Sequence, residues 1–118
     1  AMKLVTAIIR DTKYYETKAA LLNENFFSLN TYRVLGRGRE QQQYDVQNTD
    51  VRKSVKEYPF VSKRIIEIYL EEKDVERLIQ ILLKVNQTGN KGDGKIFVTP
   101  LEEAIRIRTK ETGIDALA

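Results

Sequence analysis

The chain reads as an α+β domain: two β-α-β halves, joined by a long loop, build one sheet with two helices on one side. Three observations predict it. Residues 3–10 and 65–70 are apolar runs of strand length, residues 74–86 are an amphipathic run of helix length, and strand-like runs close each half. At 118 residues the chain is one domain, large enough to fold on a single core.

In order, residues 3–10 are almost continuously apolar, as in a strand buried on both faces. Asp11-Thr12 is a helix-start signal, with Thr12 as the expected N-cap. The helix should run to about Asn25 with Tyr15, Ala19 and Leu22 on its inner stripe. Residues 29–35 form the second strand. From Glu40 to Tyr58 no trusted periodicity is present, and a long solvated loop is expected there. The strand 65–70 carries a carboxylate, Glu67, which needs a partner or a ligand if it is buried. Helix 74–86 presents Val75, Leu78, Ile79, Leu82 and Val85 on one stripe. A strand at 95–98 should end at Pro100. Alternation in Ile105-Arg106-Ile107-Arg108 puts both arginines on one face of a short edge strand, and residues 113–118 are a frayed tail. This order is the split β-α-β, ferredoxin-like arrangement. Two helices cover only one face of such a sheet. Because the strands at 3–10 and 65–70 are apolar on both faces, the second face requires another copy of the chain.

Between helix and last strand lies Asn86-Gln87-Thr88-Gly89-Asn90-Lys91-Gly92-Asp93-Gly94-Lys95. Its glycines permit positive φ and close backbone approach, and consecutive N–H groups with lysines make a concavity suited to phosphate. Gly89, four residues, then Gly94-Lys95 nearly spells a P-loop. The residue after Lys95 is Ile96, however, not the Ser or Thr that holds Mg²⁺, and a strand follows where a P-loop opens a helix. The bland alternative is a tight glycine turn without a ligand.

Composition narrows the chemistry. The 20 basic and 17 acidic residues are interspersed and leave a net charge of +3, which argues against a nucleic-acid surface. With no cysteine and no histidine, disulfides, thiolate or imidazole metal sites and histidine-based catalysis are excluded. No apolar run reaches the ~20 residues of a membrane helix and the N-terminus lacks a signal-peptide pattern, so no membrane insertion and a cytoplasmic location are expected.

Thr88-Gly89-x-x-Gly92-Asp93-Gly94-Lys95-Ile96-Phe97-Val98, then Arg106-Ile107-Arg108-Thr109, resembles the C-terminal signature of PII nitrogen-regulatory proteins. Met2-Lys3, Ala7-Ile8-Ile9-Arg10 and Val34-x-Gly36-x-Gly38-Arg39 extend the likeness over nearly the whole chain outside 40–58. The resemblance implies a compact homotrimer with ATP or ADP in each inter-subunit cleft and a domain spanning residues 2–112, whose effector loop is 36–61. It implies that Gly92, Asp93, Gly94 and Lys95, with Thr88 and Gly89, hold phosphates together with Gly36, Gly38 and Arg39, and that Arg106 and Arg108 reach them from the neighbour. Ile8, Glu67 and Tyr69 match adenosine-pocket positions, and Asn30 stands where the family usually has Thr. Lys63 matches the lysine that pairs with 2-oxoglutarate.

The departures lie in the long loop. The family's uridylylation motif is missing, with Tyr44 and Tyr58 in unrelated contexts. Glu40 replaces the Gln that helps ligate Mg²⁺ with 2-oxoglutarate, which sets a negative charge beside a dianion, and Gln41 is a possible substitute ligand. The unusual loop, with residues 84–90 and 111–113, resembles the subgroup encoded in nitrogen-fixation operons, which acts on dinitrogenase. The implied function is a non-enzymatic sensor of nitrogen and energy status acting on an enzyme or transporter of nitrogen metabolism, with a paralogous PII chain as a further partner. The competing reading is a slow nucleotide-hydrolysing enzyme, for which Glu40, Asp45 and Asp93 are the candidate bases. A metal-tolerance or amino-acid-binding trimer of similar fold leaves the phosphate-type loop unexplained.

Overall fold

In the computed structural model, residues 1–37, 42–45, 54–57 and 60–117 are described, with 42–45 and 54–57 described as backbone. Strand β1 (Met2–Arg10) leads through one 3-10 turn (Asp11–Lys13) into α1 (Tyr14–Asn23) and back along β2 (Asn30–Gly36). Two short strands follow, β3 (Gln42–Asp45) and β4 (Ser54–Glu57). The second half is β5 (Val61–Glu71), α2 (Val75–Asn86) and β6 (Lys95–Leu101).

The main sheet has the order β2-β5-β1-β6, every neighbouring pair antiparallel. Each β-α-β half therefore leaves a gap between its own parallel strands, and a strand of the other half fills it. This is the ferredoxin-like arrangement expected from the element order.

Residues paired across an antiparallel ladder share a face, so the register sorts the sheet. Val5, Ala7, Ile9, Ile66, Ile68 and Leu70 point to the helices and are buried with Leu21, Leu78 and Leu82. Leu4, Thr6, Ile8, Ile65, Glu67 and Tyr69 point the other way and are only half-buried or exposed, alongside the exposed Tyr32 and Phe97. The surplus apolar surface expected from the two apolar strands is this uncovered face.

Several local expectations need correction. The helix starts at Tyr14, and the structure shows no side-chain cap from Thr12. Its inner stripe is Tyr14, Thr17 and Leu21, whereas Tyr15, Ala19 and Leu22 are exposed. The reason is a polar helix–helix contact that an apolar pattern does not reveal: Asn86 Nδ2 donates to Thr17 Oγ1 (3.1 Å), whose hydroxyl donates to the Lys13 carbonyl (2.7 Å). The α2 stripe stands as expected, with Leu78 and Leu82 buried and Val75, Ile79 and Val85 half-buried. Pro100 does not end β6; it pairs with Lys3 inside it, as an edge strand allows. Within the expected unstructured loop, β3 and β4 form an antiparallel ribbon in which Gln42 faces Glu57 and Asp45 faces Ser54.

Residues 105–108 are not an edge strand of the sheet. Ile105 bridges Thr112 across a tight turn in which Lys110 takes a left-handed φ of 63°. The expected frayed tail instead forms a 3-10 turn at Gly113–Ala116, tied back by Gly113 N–H donating to the Ala104 carbonyl at 2.9 Å. Among the described residues no helix is long and apolar enough to cross a membrane.

Candidate functional site

The glycine loop leaves the C-terminus of α2 and must return along β1. Its geometry is set by glycines and one aspartate. Gly89, Gly92 and Gly94 take φ values of 87°, 98° and 105°, a region side chains rarely occupy. At Gly94 the demand is also steric, because an added Cβ would lie 1.7 Å from the Ile8 carbonyl oxygen. The loop therefore presses backbone to backbone against β1, at the point where Ile8 pairs with Lys95.

Asp93 does not face outward as a phosphate ligand. Its carboxylate accepts from Thr88 Oγ1 (2.5 Å), Thr88 N–H (2.8 Å), Gly89 N–H (3.0 Å) and Arg10 Nη1 (2.6 Å). These bonds, led by those from Thr88, hold its pKa well below the usual carboxylate range. Asp93 thus organises the loop from within, where the resemblance implied that it would hold phosphate. Thr88 is turned inward by the same bonds.

Two sheet cations hold the loop's carbonyls. Arg10 Nη2 donates to Lys91 O (2.8 Å) and Lys63 Nζ donates to Gly92 O (2.7 Å). Arg10 was not among the residues singled out from sequence; the only signal was its place at the end of the Ala7-Ile8-Ile9-Arg10 match. Lys63, expected to meet a ligand carboxylate, instead spends its ammonium on the loop here. With these carbonyls drawn to the sheet, the loop presents a cationic surround made of Arg10, Lys63 and the exposed Lys91 and Lys95.

The residues expected around adenosine converge on one surface. Asn30 and Thr6 both pair with Glu67, Tyr69 pairs with Leu4, and Ile8 pairs with both Ile65 and Lys95. Asn30, Glu67, Tyr69, Ile8 and Lys95 therefore share the uncovered sheet face. Glu67 is half-buried, and Tyr32 Oη donates to its Oε2 at 3.2 Å. Desolvation and that carboxylate push the Tyr32 phenol above its ordinary value. Gly36 lies over Lys63 at the end of β2, where an added Cβ would sit 3.6 Å from Lys63 Cγ, so space alone does not require glycine there. Gly38, Arg39, Glu40 and Gln41 lie outside the described residues, and so does Tyr58.

The two arginines of the motif sit in the C-terminal turn. Arg106 Nη2 donates to the Asp115 carbonyl (2.8 Å) and its Nε stands 3.7 Å from Glu111 Oε1, while Arg108 is exposed within the turn. They do not alternate along a strand as expected. A cavity of about 360 Å³ opens on the helix side of the same loop, between α2 and β6, walled by Ile79, Leu82, Leu83, Ile96 and Val98 and touching Asp93 to Lys95 at one end. The adenosine candidates other than Ile8 do not line it. The glycine loop therefore separates an apolar groove from the flat, uncovered face that carries the polar candidates.

Glycine cradle and cations fit an anionic phosphate ligand; Gly94 admits no side chain, and the Lys91 and Gly92 carbonyls are already satisfied by Arg10 and Lys63. Known proteins resemble the chain over nearly its full length. The family model for the nitrogen regulatory protein P-II matches residues 2–111. The chain is 40% identical over 121 residues to a nitrogen fixation nifHD region GlnB-like protein 2 of Methanobacterium ivanovii, covering 98% of this chain and 99% of that one. Among solved structures it superposes on B. subtilis GlnK with a TM-score of 0.77 at 30% identity, covering 98% of both chains. It superposes on Arabidopsis thaliana PII bound to citrate with a TM-score of 0.76 at 30% identity, covering 98% of this chain and 91% of that one. A family model matching residues 2–111 and a relative 40% identical over nearly the full length of both chains place the chain in the nitrogen regulatory protein P-II family.

Proposed function

We propose that the chain is a homotrimeric, non-enzymatic sensor that binds ATP or ADP, with Mg²⁺, in the clefts between subunits and regulates a target of nitrogen metabolism. The observation that carries this reading is the shared face. Asn30, Glu67, Tyr69, Ile8 and Lys95 lie together on the side of the sheet no helix covers, with the glycine loop folded over its edge. One chain supplies only a flat wall, whereas ligand sites are concave. A second copy turns the wall into a cleft and covers Tyr32, Tyr69 and Phe97. In that cleft Gly92, Gly94 and Lys95 would hold phosphates from one side, and the neighbour's copy of Arg106 and Arg108 from the other. The bound nucleotide supplies charge and a Mg²⁺ site; this chain's residues bind and orient it.

A nitrogen-fixation target such as dinitrogenase is favoured by the name of the Methanobacterium relative, which refers to the nifHD region. A 2-oxoglutarate site is supported by the cations Lys63 and Arg10 and by the citrate bound in the Arabidopsis protein. Because Lys63 already donates to Gly92 O, 2-oxoglutarate would have to take over that bond. Of the three candidate bases for hydrolysis, Asp93 is not free to activate water, since its carboxylate is committed to Thr88, Gly89 and Arg10.

Calorimetry with ATP, ADP and 2-oxoglutarate, beside light scattering on a sizing column, tests the reading. A trimer mass and saturable nucleotide binding are expected. Arg108→Ala should weaken ATP roughly 10- to 100-fold, since a hydrogen bond to a charged group contributes ~1.5–3 kcal/mol. A stable monomer, or ATP affinity indifferent to Arg108, overturns it.

A further inference from the structure

The end of the β2–β5 ribbon has a second face, turned away from the nucleotide candidates. Val34, Gly36 and Lys63 point to the candidate site. Arg33 and Leu35 point the opposite way, opposite Arg64 and Ser62. The same alternation carries Arg37 and Phe60 onto that outer surface, where the Arg37 guanidinium lies 4.6 Å above the Phe60 ring. Helix α1 does not reach this far. Leu35 is 69% exposed and Phe60 61% exposed.

Among the described residues, the charge around these two apolar side chains is one-sided. Arg33, Arg37 and Arg64 stand on the outer face, and Asp11 lies 3.0 Å from Arg33 and 3.2 Å from Arg64. Ser62 Oγ donates to Asp11 Oδ2 at 3.0 Å, and Arg64 stacks 3.9 Å over the Tyr14 ring. Asp11, Arg33 and Arg64 are thus braced against the body of the domain. Among the described residues Leu35, Phe60 and Arg37 have no such brace on this surface, and they sit at its outer end. An apolar pair rimmed by guanidiniums is the composition of a protein-docking surface, with arginine and aromatics as anchors.

We propose that this outer face of the β2–β5 ribbon is a docking surface for an acidic protein segment in which carboxylates alternate with apolar side chains. Charge complementarity selects the occupant: carboxylates meet Arg33 and Arg37, and the apolar side chains cover Leu35 and Phe60. The proposal deepens the regulator reading by giving the partner a chemistry, and it rests on that reading only in requiring a protein target. Because the same two strands carry Gly36 and Lys63 on their other side, ligand and partner would act on opposite faces of one ribbon.

The test uses the full chain and a fluorescein-labelled peptide alternating Glu and Leu, read by anisotropy. Binding to wild type is expected, weakened by added salt and absent for a peptide alternating Lys and Leu. Leu35→Ser, Phe60→Ser and Arg37→Glu should each weaken it about tenfold or more, while melting temperature and ATP affinity stay unchanged because all three side chains are exposed. Failure of ATP to bind any variant or wild type would count against the nucleotide reading and leave the peptide result to stand by itself. Three outcomes overturn the proposal: peptide binding indifferent to all three substitutions, stronger binding to anionic phosphatidylglycerol vesicles than to the peptide with the same substitution pattern, or loss of the oligomer in Leu35→Ser and Phe60→Ser.

Discussion

The two faces of the main sheet are built from the same strands and do different work. The helix-covered face is aliphatic and small: Val5, Ala7, Ile9, Ile66 and Ile68, closed by Leu21, Leu78 and Leu82. The uncovered face mixes aliphatic Leu4, Ile8 and Ile65 with Thr6, Glu67, Tyr69 and Tyr32. Close packing rewards one; polar groups that await a partner mark the other. The lesson is that apolar content alone does not separate core from site, whereas apolar content without polar interruption does.

The comparison is broken most severely from the covered side. Leu82→Ala should cost about 2–5 kcal/mol in urea unfolding, as large-to-small changes at fully buried positions do, because Leu82 is packed between α1, α2 and the sheet. Tyr69→Ala on the other face should leave the unfolding free energy of a subunit far less changed and act on assembly instead. Equal losses at the two positions would erase the distinction.

The next effect lies at the boundary of the faces. Gly94→Ala places a Cβ 1.7 Å from the Ile8 carbonyl at a φ of 105°, so loop and strand must part. Strain of this kind costs on the order of 1–3 kcal/mol, and phosphate binding should be lost with it. Gly89→Ala, at φ 87° with open space around it, should cost less because only the backbone is strained. Similar melting temperatures for these two variants would contradict the close approach.

A smaller effect is carried by pH. Native Asp93 has a depressed pKa, so its contribution to stability is full above the unfolded aspartate value of about 3.9 and is lost as pH falls below that toward the native value. Melting temperature should therefore fall on acidification below about pH 4, and Asp93→Asn should flatten that part of the profile while lowering stability at pH 7. The smallest effect is spectroscopic. The Tyr32 phenol should ionise above its ordinary range, and Glu67→Gln should bring it part of the way back, since desolvation remains when the charge is gone. An unchanged ultraviolet titration of Tyr32 in Glu67→Gln would separate the two side chains in solution.

By itself the sequence determined what depends on local chemistry. The order of strands and helices follows from periodicity, the α2 stripe from 3.6-residue spacing, and the loop's need for glycine from positive φ at Gly89, Gly92 and Gly94. Asn30, Glu67, Tyr69 and Ile8 were legible as a set only through their likeness to the family's adenosine-pocket positions, and the strand register is what places them on one face. Tertiary structure decided whatever depends on residues far apart in the chain. Arg10 meets Asp93 across 83 positions and Lys63 meets Gly92 across 29, so neither the loop-holding role of the two cations nor the inward turn of Asp93 could be read from the loop. The inner face of α1 turned on a polar contact between Thr17 and Asn86, 69 positions apart, which no apolar pattern encodes. Pro100 stays in β6 because that strand is an edge, and Arg106 leaves its expected strand because the chain folds back from Ile105 to Thr112. Spacing reports backbone periodicity; which partner a charged or polar side chain finds is settled only when the strands are laid beside one another.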